Sequence, residues 1–490
     1  MAFRLFNRIM NKRIIGLCLT LLCFSLTLLA SPNPLQLQIR GKITCNGKAV
    51  PSVVVTDGIS VVETDQFGNY TMHSTSDRDY VYYSLPSGYN SPIKEGLPIF
   101  YAPIDSMKKT QKIDFVLYPC KQSQLKHAFI VWADPQVIEL KEFDLLKEVV
   151  ADVNKTVAGL SSQFPVHGIS CGDNVFDRLN FFERYKQLIA QTSMPFYQLI
   201  GNHDMDYNNR SNELSAKSYA STFGPTYYSF NKGRVHYIML KDVFYYGDSY
   251  RYLGYIDETQ LSWMEKDLSK IKAGSTVVVS LHIPTVYGDT ENEDSYSTLL
   301  SNEVMNRSAL YKILLPYKAH ILAGHSHTQW NTIVSPSIFE HVHAAACGAW
   351  WQGDICTDGS PKGYTVYLVD GDSLSWYFKG LNVDKSDQFK LYPAGADSLN
   401  PGCIIANVYN YDSAWKVCWY ENGVYKGEME RYWGKDPLAN ELYQPGKNKK
   451  YSWLSVGETH HLFRARIQDP EAKITVKVTD RFGQVFVKEL

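Results

Sequence analysis

Between residues 129 and 327 the sequence repeats one pattern, a short apolar run that stops at a polar cluster. Phe129–Trp132 runs into Asp134-Pro135-Gln136, and Val166–Ser170 into Gly172-Asp173-Asn174-Val175-Phe176-Asp177. Phe196–Ile200 runs into Gly201-Asn202-His203-Asp204, Thr276–Leu281 into His282-Ile283-Pro284, and Ile321–Ala323 into Gly324-His325-Ser326-His327. Runs this short and this apolar read as strands buried on both faces. Helical spacing separates them: Leu145, Leu146, Val149 and Val153 within Phe143–Val157, and Leu261, Met264 and Leu268 after Asp257-Glu258-Thr259-Gln260, which has the form of a capped helix start. Strand alternating with helix predicts an α/β fold. The polar clusters then fall at the C-terminal ends of the strands, the edge where such folds bind ligands.

Each cluster alone is weak. Gly-Asn-His-Asp by itself reads as a turn, and a lone His282 as a satisfied, partly buried histidine. The set in this order carries the argument. It supplies hard oxygen donors and imidazoles, which together suit two divalent ions of borderline character such as Mn, Fe or Zn. Asp173 can bridge both, because a carboxylate has two oxygens. Two such ions, about 3.5–4 Å apart, can share a hydroxide and clamp a phosphate oxygen. His325 and His327 alternate along an extended segment, so the chain after Gly324 must bend to aim both rings at one site.

These clusters resemble the signature of the calcineurin-like metallophosphoesterase superfamily: Asp-x-His, Gly-Asp-x-x-Asp, Gly-Asn-His-Asp/Glu, His and Gly-His-x-His. The resemblance covers roughly half the chain and implies a four-layer αββα core. It implies that Asp134, Gln136, Asp173 and His327 hold the first metal, and Asp173, Asn202, His282 and His325 the second. It implies that His203 sits over the phosphate and protonates the leaving alkoxide, and that Asp204 hydrogen-bonds His203 and tunes its pKa. Asp177 is expected to be structural or to support the ligands from behind. A metal-bound hydroxide is expected to attack phosphorus in line, without a phospho-enzyme. Gln136 departs from the pattern, which most often has His there; an amide oxygen is a harder and weaker donor. The first ion is therefore expected to bind more weakly and to favour a metal such as Mn.

Both flanks read as β-rich. Residues 32–122 alternate short apolar runs with Asn46-Gly47, Asp57-Gly58 and Phe67-Gly68-Asn69 turns and resemble small transthyretin-like sandwiches. The central unit is placed at 123–372 and a C-terminal β domain at 373–490. This layout resembles exported bacterial members of the superfamily. No catalytic cluster is evident in either flank, and the basic loop Gly446–Lys450 reads as surface.

At the N-terminus Arg4, Arg8, Lys12 and Arg13 precede the apolar run Ile14–Ala30, which ends at Ser31-Pro32. That is the form of an export signal over residues 1–31, or of a membrane anchor if it is not cleaved. The expected location is the periplasm or cell surface of a bacterium. The cysteines outside this segment form no Cys-x-x-Cys, so a thiolate zinc site is not expected. They read as small buried hydrophobes, with Cys347 and Cys356 the best pair for a disulfide.

Lys+Arg 49 against Asp+Glu 50 excludes a broad electrostatic grip on nucleic acid. It does not exclude phosphate chemistry, since metal ions can supply the positive charge. The expected partner is a phosphate ester, monoester or diester. Trp350 and Trp351 beside glycines read as an aromatic wall for a sugar, lipid or base, or as core and interface packing. The tyrosines at 245, 246, 250, 252 and 255 read as packing or pocket border. The competing reading is a degenerate surface protein that binds glycan through its β domains. Such a protein is expected to have lost ligands, and only the first-motif His differs here. A metallopeptidase lacks its His-Glu-x-x-His.

Overall fold

The computed structural model describes residues 34–286 and 300–490. The basic head and apolar run read as an export signal lie outside the described residues. Among the described residues no helix is long and apolar enough to cross a membrane.

The N-terminal flank is a two-sheet sandwich. Its long strand Gln36–Cys45 pairs antiparallel with Asn69–Thr75 and parallel with Thr110–Lys112 and Phe115–Pro119. Alternate residues of that strand are buried, as one core-facing side of a pleated strand requires. The facing sheet contains Val54–Thr56, Val61–Glu63, Tyr80–Tyr83 and Tyr101–Pro103. The sandwich packs onto the central unit: Phe100 lies 4.5 Å from Tyr228, and the Tyr80 and Tyr227 hydroxyls donate to the carbonyls of Ala220 and Gly58.

The central unit has two sheets face to face. The first runs Phe196–Tyr197, Val166–Ser170, Lys126–Trp132, Gly363–Asp370, Ser373–Gly380, with the first three strands parallel. The second runs Tyr228–Lys232, Val235–Met239, Thr276–Ser280, Lys318–Ala323, Ile338–Val342, Trp330–Ser335, with the four middle strands parallel. Aromatic and histidine side chains fill the space between them. Phe129 meets Tyr237 edge-on at 5.5 Å, and His127 and His343 reach the hydroxyls of Tyr237 and Tyr367.

Helices cover the outer faces and complete the four layers. Glu142–Ser161 buries Phe143, Leu146, Val149, Val150, Val153 and Val157, one stripe at helical spacing. It is tied to the first sheet by Thr156 and Tyr364. Glu258–Leu268 starts at Asp257, whose carboxylate accepts from Gln260 N. The Gln260 side chain does not close a capping box; it pairs with the Lys241 backbone on the second sheet's strand extension.

Three expectations are corrected. The run Phe196–Ile200 is a strand only over Phe196–Tyr197, because the chain then turns into the site. The division after residue 372 cuts a hairpin: Ser373–Gly380 pairs along its whole length with Gly363–Asp370 and closes the first core sheet. Cys347 and Cys356 form no disulfide, and all described cysteines are free. Both pack as small hydrophobes among Ala344, Ala345, Phe378 and Tyr409.

The C-terminal flank is a second sandwich, of two four-stranded sheets. A buried polar network docks it. Asp358 accepts from the backbone N–H of Gln329 and from Ser360, and meets His461 Nε2 at 3.1 Å. His461 Nδ1 meets Asn407 Oδ1 at 2.6 Å, and Asn407 in turn donates to Asp436. Lys450 of the basic loop is no free surface lysine: it pairs with Glu142 at the start of the core helix.

Candidate metal centre

The strand ends converge from both sheets. Asp134 and Gln136, Asp173, and Asn202 follow the three parallel strands of the first sheet; His282 and the His325–His327 pair follow adjacent strands of the second. The chain bends sharply at these ends. Asp134, Gln136, Asp173, Asp177, His325 and His327 all have φ between 37° and 69°. For a side chain other than glycine this costs roughly 1–3 kcal/mol each. It supplies the bend that the Gly-His-Ser-His segment requires. Gly201 allows the closest approach in the site: a Cβ there would lie 2.1 Å from Asp173 Oδ1.

The donor atoms fall into two groups. Asp173, His282 and His325 each offer a ligand atom within 4.8 Å of the others. Asn202 Oδ1 joins them, 2.9 Å from His282 Nε2. On the other side, His327 Nε2 lies 3.5 Å from Asp134 Oδ1, and the Gln136 amide nitrogen donates to Asp173 Oδ2 at 2.5 Å. Asp134 Oδ1, Gln136 Oε1 and His327 Nε2 are all buried without a hydrogen-bond partner. Buried polar atoms are rarely left unpaired. Unpaired oxygen and imidazole donors of this kind, with Asp134 Oδ1 and His327 Nε2 3.5 Å apart and Gln136 bonded to Asp173, fit divalent cations.

Supporting groups hold the donors in place. His282 Nδ1 faces the Cys171 carbonyl at 2.8 Å, which leaves Nε2 for the site. His325 N donates to Asp134 Oδ2. Asp242 accepts from the backbone N–H groups of both His282 and Ile283. Asp242 is not among the sequence-predicted site residues, although it follows the apolar strand Val235–Met239 in the same strand-then-carboxylate pattern.

His203 stands at the edge, a quarter exposed. Its Nδ1 is 2.9 Å from Asp177 Oδ1, its backbone N–H donates to Asp173 Oδ1, and Phe176 packs against its ring at 4.1 Å. The expected bond from Asp204 to His203 is not present. Asp204 is buried and accepts from the backbone N–H groups of Gly201, Asn174 and Val175 and from the Asn174 amide. It holds the two loops together, and Asp177 takes the place beside His203.

The charges are coupled across the site. Burial works to raise the Asp173 carboxyl, but His282 and His203 hold it well below the usual range. Burial works to lower His282, but the Asp173 carboxylate holds it up at about 10. Burial and the His282 charge press His325 down to about 3. Against its own burial, His203 is raised by Asp173 and by its bond to Asp177. Burial and the Asp173 anion push Asp204 up to about 7 despite its N–H donors.

Trp350 and Trp351 border the Asp134–Gln136–His327 group of donors. The Trp350 ring stacks on His327 at 4.0 Å, and Trp351 Nε1 donates to the Pro135 carbonyl. Of the tyrosine stretch, Tyr252 lies 6.2 Å from His325, Tyr245 is buried, and Tyr246 and Tyr250 are exposed.

The chain matches the model "Calcineurin-like phosphoesterase" over residues 130–329. It matches the models for the N-terminal and C-terminal domains of calcineurin-like phosphoesterase over residues 37–119 and 340–486. Purple acid phosphatase 13 of Arabidopsis thaliana is 25% identical over 167 residues, 31% of this chain and 28% of that protein. Purple acid phosphatase 15 of the same plant is 26% identical over 268 residues, 52% of this chain and 43% of that protein. The chain thus spans less than half the length of these relatives. Among solved structures, a dimetal phosphatase from Danio rerio aligns at a TM-score of 0.37 and 14% identity, over 52% of this chain and 96% of that one.

Proposed function

The chain belongs to the calcineurin-like phosphoesterase family, and we propose that it is an exported, two-metal hydrolase of phosphate esters. One observation carries the reading. The unpartnered donors Asp134 Oδ1, Gln136 Oε1 and His327 Nε2 accompany the Asp173–His282–His325 group, to which Gln136 is bonded through Asp173, with a partly exposed His203 at the edge. Two divalent cations held there would supply positive charge for phosphoryl oxygens and would lower the pKa of a water. Asp134, Gln136, Asp173 and His327 would hold one, and Asp173, Asn202, His282 and His325 the other.

The chain's own residues do the rest. Asp177 fixes the His203 ring through Nδ1, so Nε2 is the atom left to meet substrate. Asp173 and the bond to Asp177 raise its pKa against its burial, which favours the protonated ring that can deliver a proton to the leaving alkoxide. Phe176 packs against the same ring at 4.1 Å. Gln136 gives the first site an amide oxygen in place of an imidazole, which favours a hard ion such as Mn. Metal analysis beside Gln136→His checks this; unchanged affinity and preference would remove the argument.

Export follows from the basic head and the apolar run before Ser31. N-terminal sequencing of the protein recovered from the producing cell tests it. Phosphate release from an aryl phosphate with added Mn, Zn or Fe tests the enzyme reading, with Asp173→Ala and His203→Ala expected to abolish it. A parallel panel of a monoester, a diester and a phospholipid headgroup separates the substrate classes. No release from any of them with any metal would leave a binding protein.

A further inference from the structure

We propose that the C-terminal domain completes the substrate site: Trp453 and Tyr451, with Trp350, form an aromatic corner that takes a flat aromatic ring carried by the phosphate ester. This rests on the phosphoesterase reading and names the class of its substrate.

The corner is built outward from a metal-site residue. Trp350 lies flat on His327, with ring planes 20° apart. Trp453 meets Trp350 at 88° and 4.7 Å, and Tyr451 stacks beside Trp453 at 5.2 Å. Trp453 is therefore one ring removed from a metal-site histidine, yet it is 53% exposed. The bond from Trp351 to the Pro135 carbonyl pins the tandem tryptophans to the loop that bears Asp134 and Gln136.

Backbone conformation sets the tandem apart from ordinary packing. Trp350 and Trp351 have φ of 51° and 60°, the same left-handed region as Asp134, Gln136, Asp173, His325 and His327. Bulky residues are held there only where the surroundings over-determine them, and such positions gather at functional sites. The opposite edge is also aromatic: Tyr252 is beside His325, and the exposed Tyr250 lies 4.9 Å from Tyr207, whose hydroxyl donates to the Asn202 carbonyl.

The chemistry of the corner favours a ring over a polyol. Sugar hydroxyls need free carboxylates or amides next to the aromatic face. Here Glu142 is taken by the Lys450 ammonium and the Gln352 carbonyl oxygen by the Lys450 backbone N–H, while the unpartnered Gln352 amide nitrogen is buried away from the surface. Trp453 stays half exposed, and the Lys450 ammonium sits over the neighbouring Tyr451 ring. Ring-on-ring stacking with an exposed tryptophan is worth about 10-fold or more in affinity.

The test is calorimetric binding of naphthyl phosphonate and methyl phosphonate to the metal-loaded full chain, as wild type, Trp453→Ala and Trp453→Phe. Wild type is expected to prefer the naphthyl compound by about 10-fold or more, Trp453→Ala to lose most of that ratio, and Trp453→Phe to keep most of it. A purely structural role would weaken both probes alike and leave the ratio in place, which would overturn the proposal. So would a sugar phosphonate that binds more tightly than the naphthyl compound, or failure of both probes to bind. Phosphonates are not hydrolysed. A naphthyl preference that depends on Trp453 in a protein that turns over no ester would support the corner while refuting the phosphoesterase reading alone.

Discussion

Gly201→Ala isolates one contact in the site. Gly201 has φ −107° and ψ −176°, an extended conformation open to any residue, so alanine brings no backbone strain. What it brings is a collision. The new Cβ would lie 2.1 Å from Asp173 Oδ1, 2.3 Å from Asp173 N and 2.8 Å from Asp173 Cγ. A carbon rests about 3.5 Å from its neighbours, so the carboxylate must retreat by more than ~1 Å. It cannot do so by side-chain rotation alone, because the backbone nitrogen is also in the way. Overpacking of this kind costs roughly 1–3 kcal/mol of stability. A 1 Å error in a group that positions reacting atoms can cost ~100-fold in rate. We expect the variant to remain folded by circular dichroism, to lose bound metal on dialysis, and to hydrolyse an aryl phosphate about 100-fold more slowly in kcat/KM. Gly159→Ala is the matched control: nothing lies within 4 Å of its Cβ, and the helix there should gain about 0.4–1 kcal/mol. Full metal content in Gly201→Ala with kcat/KM within about threefold of wild type would refute the reasoning, because Asp173 would then not need its present position.

The other predictions concern protons and domain docking. Asp177→Asn removes the negative charge that helps to raise the His203 pKa; an acid works below its pKa, so the basic limb of kcat against pH should move to lower pH and kcat should fall about 10-fold or more. A limb that stays in place or moves up would assign the proton to another group. Since Asp173 holds His282 up at about 10, and His327 is also raised, cation uptake near neutral pH must displace protons and should tighten as pH rises. Calorimetry in buffers of different ionisation enthalpy reads this, and no net proton release would contradict it. His461→Ala removes one partner of the buried Asp358, which keeps Gln329 and Ser360, and should cost about 1–3 kcal/mol in denaturant unfolding of the C-terminal unit; a loss under about 0.5 kcal/mol would show that the network does not dock the domain.

Local pattern determined much of this protein. The apolar runs and helical stripes encode their elements through periodicity, so the α/β core and the polar clusters at its strand ends were legible in the sequence. Tertiary structure decided what depends on contact through space. His203 and Asp204 are adjacent in sequence but lie in a single turn of tight helix, where consecutive side chains point apart. The partner of His203 is therefore Asp177, brought in by a separate strand end and a left-handed bend that no residue type announces. The same holds for the hairpin at 363–380, which returns to the first core sheet, and for Trp453, which reaches the site from a domain whose own sequence shows no cluster of ligands. Periodicity is a property of neighbours along the chain; pairing, packing and the choice between two carboxylates are set by distances that exist only once the chain has folded.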